Sequence, residues 1–284
     1  PFSEILLNPL ARTLTLNDSQ RLRPCASLYA TGGERGALAR NVSSLEKAPS
    51  KRLENLCNSS GITNEGIDKH VENINEKQNI PPSEPTQHPE AIEHLFLRYN
   101  VPLDLEPGKE MSYCNYNYDL TAEIVRRVSG KSLDSFARER IFDKLGMKDS
   151  YYETPEHARK RVALRTDKLV GSEWDDGRMR IPAGSGSLLS TTMDMTIFAQ
   201  MFLNNGIYGD KRVLCPSSVY EMTHNQLPGI HAMYKDETFS EANYGYGWAT
   251  SETKDWLDCG SLQSSKTFWH NGWGITFLWC DPVY

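Results

Sequence analysis

The sequence predicts an α+β fold with its strands gathered late in the chain. Two observations lead there. Apolar residues recur at helical spacing in three stretches between residues 120 and 203, whereas three segments after residue 243 carry the aromatic and β-branched content of neighbouring antiparallel strands. At 284 residues the chain is long enough for one large domain, or for one domain holding a smaller subdomain.

From Pro1 to about Pro49 there is little sustained periodicity apart from Ala26 to Ala30 and a Gly32-Gly33 turn. Residues 63 to 90 are polar and end in a Pro-rich run, which marks a surface excursion, and a helix is expected to resume near Pro89. Glu106-Pro-Gly-Lys reads as a turn, and Met111 to Tyr116 as a short extended segment. Leu120, Ile124, Val125 and Val128 then fall on one helical face, closed by Ser129-Gly130, with the glycine suited to a left-handed cap. Ser132 is an N-cap for a second helix carrying Leu133, Phe136, Ile141 and Phe142 and ending at Leu145-Gly146. A small-residue turn, Ala183-Gly-Ser-Gly-Ser, precedes a third helix from about Thr192, with Met195, Phe198, Ala199 and Phe202 inward until Asn204-Asn205-Gly206. Tyr244 to Ala249, Thr267 to His270 and Ile275 to Cys280 are the expected strands.

Composition excludes several functions. A formal charge of -6, with no cluster of Lys and Arg on a helix face, gives no field for a phosphate backbone, so no nucleic acid is expected as partner. The longest apolar runs fall far short of the roughly 20 residues of a membrane-spanning helix, and no span is expected. Neither a charged n-region nor an h-region opens the chain, so no signal peptide is visible. Six cysteines, at 25, 57, 114, 215, 259 and 280, form no CxxC pair and no metal-ligand spacing with the histidines; scattered thiols are the reading, and no metal or organic cofactor is implied. Asn17, Asn41 and Asn58 each open an Asn-x-Ser tripeptide, which has meaning in a secretory pathway.

Two constellations could carry chemistry. Tyr113-Cys114-Asn115 sits between a Pro-Gly turn and the first amphipathic helix, where a phenol can act as general base and a carboxamide can donate to a substrate carbonyl. Taken alone it also fits a tyrosine with its ring in the core and its hydroxyl at the surface. His270-Asn271-Gly272 lies between two expected strands, with a glycine that would let a substrate backbone approach closely, although an isolated histidine is more often structural.

Taken in order, Tyr113-Cys114-Asn115, Tyr118-Asp119-Leu120, Val128-Ser129-Gly130-Lys131-Ser132 and Ile141-Phe142 through Leu145-Gly146-Met147 resemble the central stretch of the class C β-lactamase, DD-peptidase and esterase family. Ala183 to Phe198 and Tyr244 to Trp248 resemble its later Gly-rich turn and Gly-Tyr-Gly-Trp strand. His270-Asn271-Gly272 stands where that family places Lys-Thr-Gly or His-Thr-Gly, followed by Trp273. Upstream, Leu56 to Ile62 is similar to its Leu-Thr-His-Thr-Ser-Gly segment.

The resemblance implies an antiparallel β-sheet flanked by helices with a mainly helical subdomain, here about residues 63 to 180 of a single domain spanning 1 to 284. It implies acyl transfer through a serine ester on a small-molecule or peptide substrate with an ester or amide carbonyl, without cofactor, in a family whose usual setting is secreted or periplasmic. Tyr113 would move the nucleophile's proton, Asn115 would orient the substrate amide, and His270, with Asn271, Gly272 and Trp273, would line the opposite strand. The family's nucleophile lies in Ser-x-x-Lys, one helical turn bringing the amine beside the hydroxyl. Here the pattern occurs as Ser44-Leu-Glu-Lys47 and Ser251-Glu-Thr-Lys254, and the first alone precedes Tyr113. Pro49 would break a helix continuing from Lys47, at a cost of about 3 kcal/mol. The family also continues beyond its Asp-Pro with a strand and a helix, whereas this sequence stops at Tyr284, so an unpaired sheet edge or an uncovered face is expected. Two readings follow: a serine hydrolase with Ser44 as nucleophile, or an inactive homologue whose cleft binds or scaffolds. Neither sets an oligomeric state.

Overall fold

The computed structural model describes residues 60–63, 103–163, 184–234, 237–253, 262–272 and 276–284. Strand β1 (Met111–Ser112) leads into helix α1 (Asn115–Ser129), whose buried stripe includes Tyr118, Leu120, Ala122 and Val125. Gly130 caps it at φ 69°, donating its N–H to Arg126 O, as the Ser129-Gly130 pair leads one to expect. Ser132 caps α2 (Leu133–Ala137) by accepting from the Ser135 N–H. The expected second helix is not continuous. Across Arg138–Phe142 it widens into a π-turn in which Asp143 N–H reaches back to Arg138 O, before α3 (Asp143–Leu145) ends at Gly146, φ 73°. The widening still buries Ile141 and Phe142, so a 3.6-residue reading of the sequence found the right inward residues.

After α4 (Glu156–Arg159), helix α5 (Thr192–Leu203) starts at a Thr191 cap and buries Met195, Phe198, Ala199 and Phe202. Met193 on its other side is exposed. The hairpin β2 (Ile207–Tyr208) and β3 (Lys211–Arg212) and helix α6 (Pro216–Met222) follow.

Strands β4 (Ala232–Tyr234) and β5 (Glu237–Phe239) pair antiparallel, and β4 takes β1 as a parallel neighbour, Met111 opposite Ala232. The last sheet runs β6 (Ala249–Thr250), β7 (Phe268–Gly272), β8 (Thr276–Cys280), all antiparallel. The fold is therefore mixed α+β, with antiparallel strands late in the chain as expected. One expectation needs correcting. Tyr244 to Trp248 is not strand: Gly245 N–H donates to Trp248 O at 2.7 Å, Gly247 has φ 80°, and the segment closes on itself through a Tyr244–Ala249 bridge. A Cβ at Gly245 would stand 2.0 Å from Met222 O, so the turn packs against the end of α6 and requires glycine.

Among the described residues, two cores hold these elements. The larger joins α1, α2, the π-turn and α5 to the sheet through Phe268 and Cys280 and to the 244–248 turn through Trp248, with Phe202 edge-on to Trp248 at 5.1 Å. The smaller gathers Met111, Leu227, Ala232, Ala242, Tyr244, Ala249 and Trp269, with Tyr113 leaning on it. Adjacent residues Phe268 and Trp269 belong to different cores, as the alternation of a strand requires. Phe277 and Trp279 stack at 4.8 Å on the exposed side of β8.

Candidate active site

Tyr113 follows directly from β1, and the short parallel pairing to β4 fixes its backbone, Met111 N–H donating to His231 O at 3.0 Å. Across that junction His231 Nε2 and Glu110 Oε2 lie 2.7 Å apart. Cys114 is the N-cap of α1 in an extended conformation, and its side chain makes no capping hydrogen bond. Asn115 is then the first helical residue and is exposed, while Cys114 is fully buried. Tyr113 and Asn115 are thus both more open than the Cys114 between them.

The ring of Tyr113 lies 6.2 Å from the ring of His270, at 46°, although the two are far apart in the chain. Tyr118, one turn into α1, is 6.5 Å from Tyr113, and its hydroxyl meets that of Tyr244 at 3.3 Å in the interior. His270 is 3% exposed. Its Nδ1 donates to Asn271 O at 2.6 Å.

The strand carrying His270 is paired unequally on its two sides. Its ladder to β6 stops at Trp269, so among the described strands His270, Asn271 and Gly272 pair with β8 alone. Among the described strands, then, the side of this stretch away from β8 is a backbone edge, the geometry in which an extended substrate can be held by main-chain hydrogen bonds.

Behind the first turn of α1 lies a contact that the sequence does not announce. Ser60 Oγ donates to Asn117 Oδ1 at 2.9 Å, both side chains being buried. Gly61, at φ 82°, turns the following segment so that its carbonyl accepts the N–H groups of Asp104 and Leu105 at 2.9 and 3.1 Å. Among the charged groups of α1, Glu123 is buried but held by Arg126 and Arg127, an intrahelical arrangement that offsets its desolvation. No group of three or more His, Cys, Asp or Glu suited to a metal occurs among the described residues, and none of their helices is long and apolar enough to cross a membrane.

Of the residues singled out from sequence, Tyr113, Asn115, His270, Asn271 and Gly272 fall in this one region. Ser44, Lys47 and Trp273 lie outside the described residues. Ser60, Asn117 and the Tyr118–Tyr244 hydroxyl pair were not singled out as site groups. A buried asparagine must find partners, but no pattern in the sequence says which residue, 57 positions away, supplies one.

The family model described as Beta-lactamase matches residues 56–284, well over half the chain. The chain belongs to the beta-lactamase family. Its relatives include a protein of Escherichia coli (strain K12), provisionally described as a D-alanyl-D-alanine carboxypeptidase. It is 27% identical over 212 residues, covering 66% of this chain and 46% of that one. The counterpart from Salmonella enteritidis PT4 (strain P125109) is 25% identical over the same shares. The match thus spans less than half the length of these relatives. Among solved structures, the octameric penicillin-binding protein homologue from Pyrococcus abyssi covers 99% of this chain and 58% of its own, at TM-score 0.62 and 19% identity. A beta-lactamase/D-alanine carboxypeptidase from Yersinia pestis covers 99% and 73%, at TM-score 0.58 and 17% identity. At these identities the likeness is one of fold: this family member shares the penicillin-binding and beta-lactamase architecture.

Proposed function

We propose that this beta-lactamase family member is a serine hydrolase that attacks an ester or amide carbonyl of a small-molecule or peptide substrate and passes through an acyl-enzyme. The observation that carries the reading is the approach of Tyr113 to His270 beside the exposed Asn115. In this reading a helical segment of about residues 63 to 180 walls one side of the cleft, and the end of β7 from His270 to Gly272 the other.

In this reading the nucleophile is Ser44 Oγ, with Lys47, three residues on, as its amine partner. The Tyr113 phenolate takes the serine proton as Oγ bonds to the carbonyl carbon. The phenol returns that proton to the leaving nitrogen or oxygen as the tetrahedral intermediate collapses, and water repeats the cycle to release the acid. Asn115 donates to the substrate carbonyl, while Asn271 and Gly272 hold its backbone along β7 with Trp273 beyond. Backbone N–H groups stabilise the oxyanion, an effect often worth about 3 kcal/mol per donor.

A second reading is supported by Pro49, which limits any helix running on from Lys47. In that reading the cleft binds a peptide or cell-wall fragment without turnover. A fluorophosphonate or a fluorescent β-lactam, followed by mass mapping, separates the two. Label on Ser44, lost in Ser44→Ala, supports the hydrolase; a protein with no labelled serine is the non-catalytic binder.

A further inference from the structure

We propose that Ser60 and Asn117 are a positioning pair for the Tyr113-Cys114-Asn115 edge. The proposal rests on the reading of that edge given above, and names residues that act on it from behind.

Asn117 is the third residue of α1. Its backbone N–H donates to Cys114 O at 3.3 Å, and its carbonyl accepts the Thr121 hydroxyl at 2.9 Å, so it belongs to the turn that sets the direction of Asn115 and the end of Tyr113. That turn begins at an extended cysteine without a side-chain cap, and helix starts of this kind fray unless something else holds them. Here the third residue is held from inside. Ser60 Oγ donates to the Asn117 carboxamide oxygen at 2.9 Å while accepting the Ile62 N–H at 3.1 Å.

Ser60 is in turn fastened to a second support. The Gly61 carbonyl accepts two N–H groups from the 104–105 loop, and the Thr63 hydroxyl donates to Asp104 Oδ2 at 2.8 Å. A Cβ at Gly61 would lie 2.2 Å from Leu105 O, so the segment has no room to slide. Asn117 is fully buried, and its Nδ2 finds no hydrogen-bond partner among the described residues. Removing the Ser60 hydroxyl therefore leaves the whole carboxamide unsatisfied, and the turn lowers its free energy by opening toward water. The chain of restraint runs from the 104–105 loop through Ser60 and Asn117 to the two side chains at the cleft.

Cys114 reports on that turn directly, being a buried thiol within it, and Cys280 at the end of β8 is an equally buried gauge of global opening. The experiment is iodoacetamide alkylation under native conditions with peptide mass mapping, on the full chain and on Ser60→Ala, Asn117→Ala and the double variant. Each single variant is expected to speed Cys114 modification about tenfold at unchanged Cys280 rate, and the double variant to add little to either. An unchanged Cys114 rate, a parallel rise at Cys280, or a double variant equal to the product of the singles would each overturn the pairing. With a p-nitrophenyl ester, Ser60→Ala is expected to lower kcat about tenfold at unchanged KM; a change in KM alone would overturn the positioning role. If the wild-type chain turns over no ester, the hydrolase reading fails, and the alkylation rates still decide the pair.

Discussion

Replacing Phe202 by alanine tests whether the helix–sheet core holds the histidine strand in place. Phe202 is 1% exposed and meets three rings: Phe198 and Trp248, each at 5.1 Å and close to edge-on, and Phe268 at 6.1 Å. A buried phenylalanine withdraws roughly 150–250 Å² from water, which at about 25 cal/mol per Å² gives an upper figure of about 4–6 kcal/mol. Truncations of this kind cost about 3–5 kcal/mol, and edge-to-face pairs contribute about 0.5–1.5 kcal/mol each. The expected loss for Phe202→Ala is therefore about 4 kcal/mol, with Phe202→Leu near 1.5 kcal/mol because most of the volume is kept. Urea unfolding followed by tryptophan fluorescence measures both, the midpoint falling at an unchanged slope. A loss below about 1.5 kcal/mol for the alanine variant would refute the reasoning, because the three rings would then not form one packed unit.

Four further outcomes follow from particular residues. Gly61→Ala forces a Cβ against Leu105 O in a left-handed backbone, and is expected to cost about 2 kcal/mol or more in the same unfolding assay. Burial acts to raise the Asp281 carboxyl, but the N–H groups of Ser264 and Val283 and the hydroxyls of Ser264 and Thr267 outweigh it and hold it below the usual carboxylate range. Because the folded value is the lower one, Asp281 stabilises above the unfolded value of about 3.9, and that contribution fades as pH falls through the folded value. The melting-temperature gap between wild type and Asp281→Asn should accordingly be widest near neutral pH and narrow below about pH 4. Hydrogen bonds from Ser217, then Ser218, lower the Cys215 thiol to about 7, whereas burial pushes Cys280 up to about 12; iodoacetamide should modify Cys215 with a midpoint near that lower value and spare Cys280 throughout. Tyr113→Phe should lower ester turnover by about 100-fold with the fold intact by circular dichroism.

Periodicity was a good guide wherever packing is local. The stripe of Leu120, Val125 and their neighbours, the glycine caps at 130 and 146, and the inward residues of α5 all follow from side chains three and four positions apart. It misled at Tyr244 to Trp248, where aromatic content suggested strand but Gly245 is pressed against Met222 O and Gly247 takes a left-handed backbone. The π-turn at Arg138–Phe142 was invisible because either helix type buries Ile141 and Phe142. The parallel β1–β4 pair is two residues long, too short for any alternation to register.

The proposed site divides the same way. Tyr113, Asn115 and His270 stand out in the sequence because their motifs fall in an order that resembles a known family. Ser60 and Asn117 were not, since a single hydrogen bond between distant polar residues leaves no periodic trace. Tyr118 and Tyr244 appeared within those motifs, but that their hydroxyls meet depends on the turn at Gly245 and Gly247.

The most direct test of the central claim is a crystal structure of the full chain after reaction with an alkyl phosphonate. The account predicts phosphorus bonded to Ser44 Oγ, with the adduct between the Tyr113 phenol and the edge of β7 at His270. An adduct on any other serine, or an unreacted protein with Tyr113 and His270 facing separate surfaces, would contradict it.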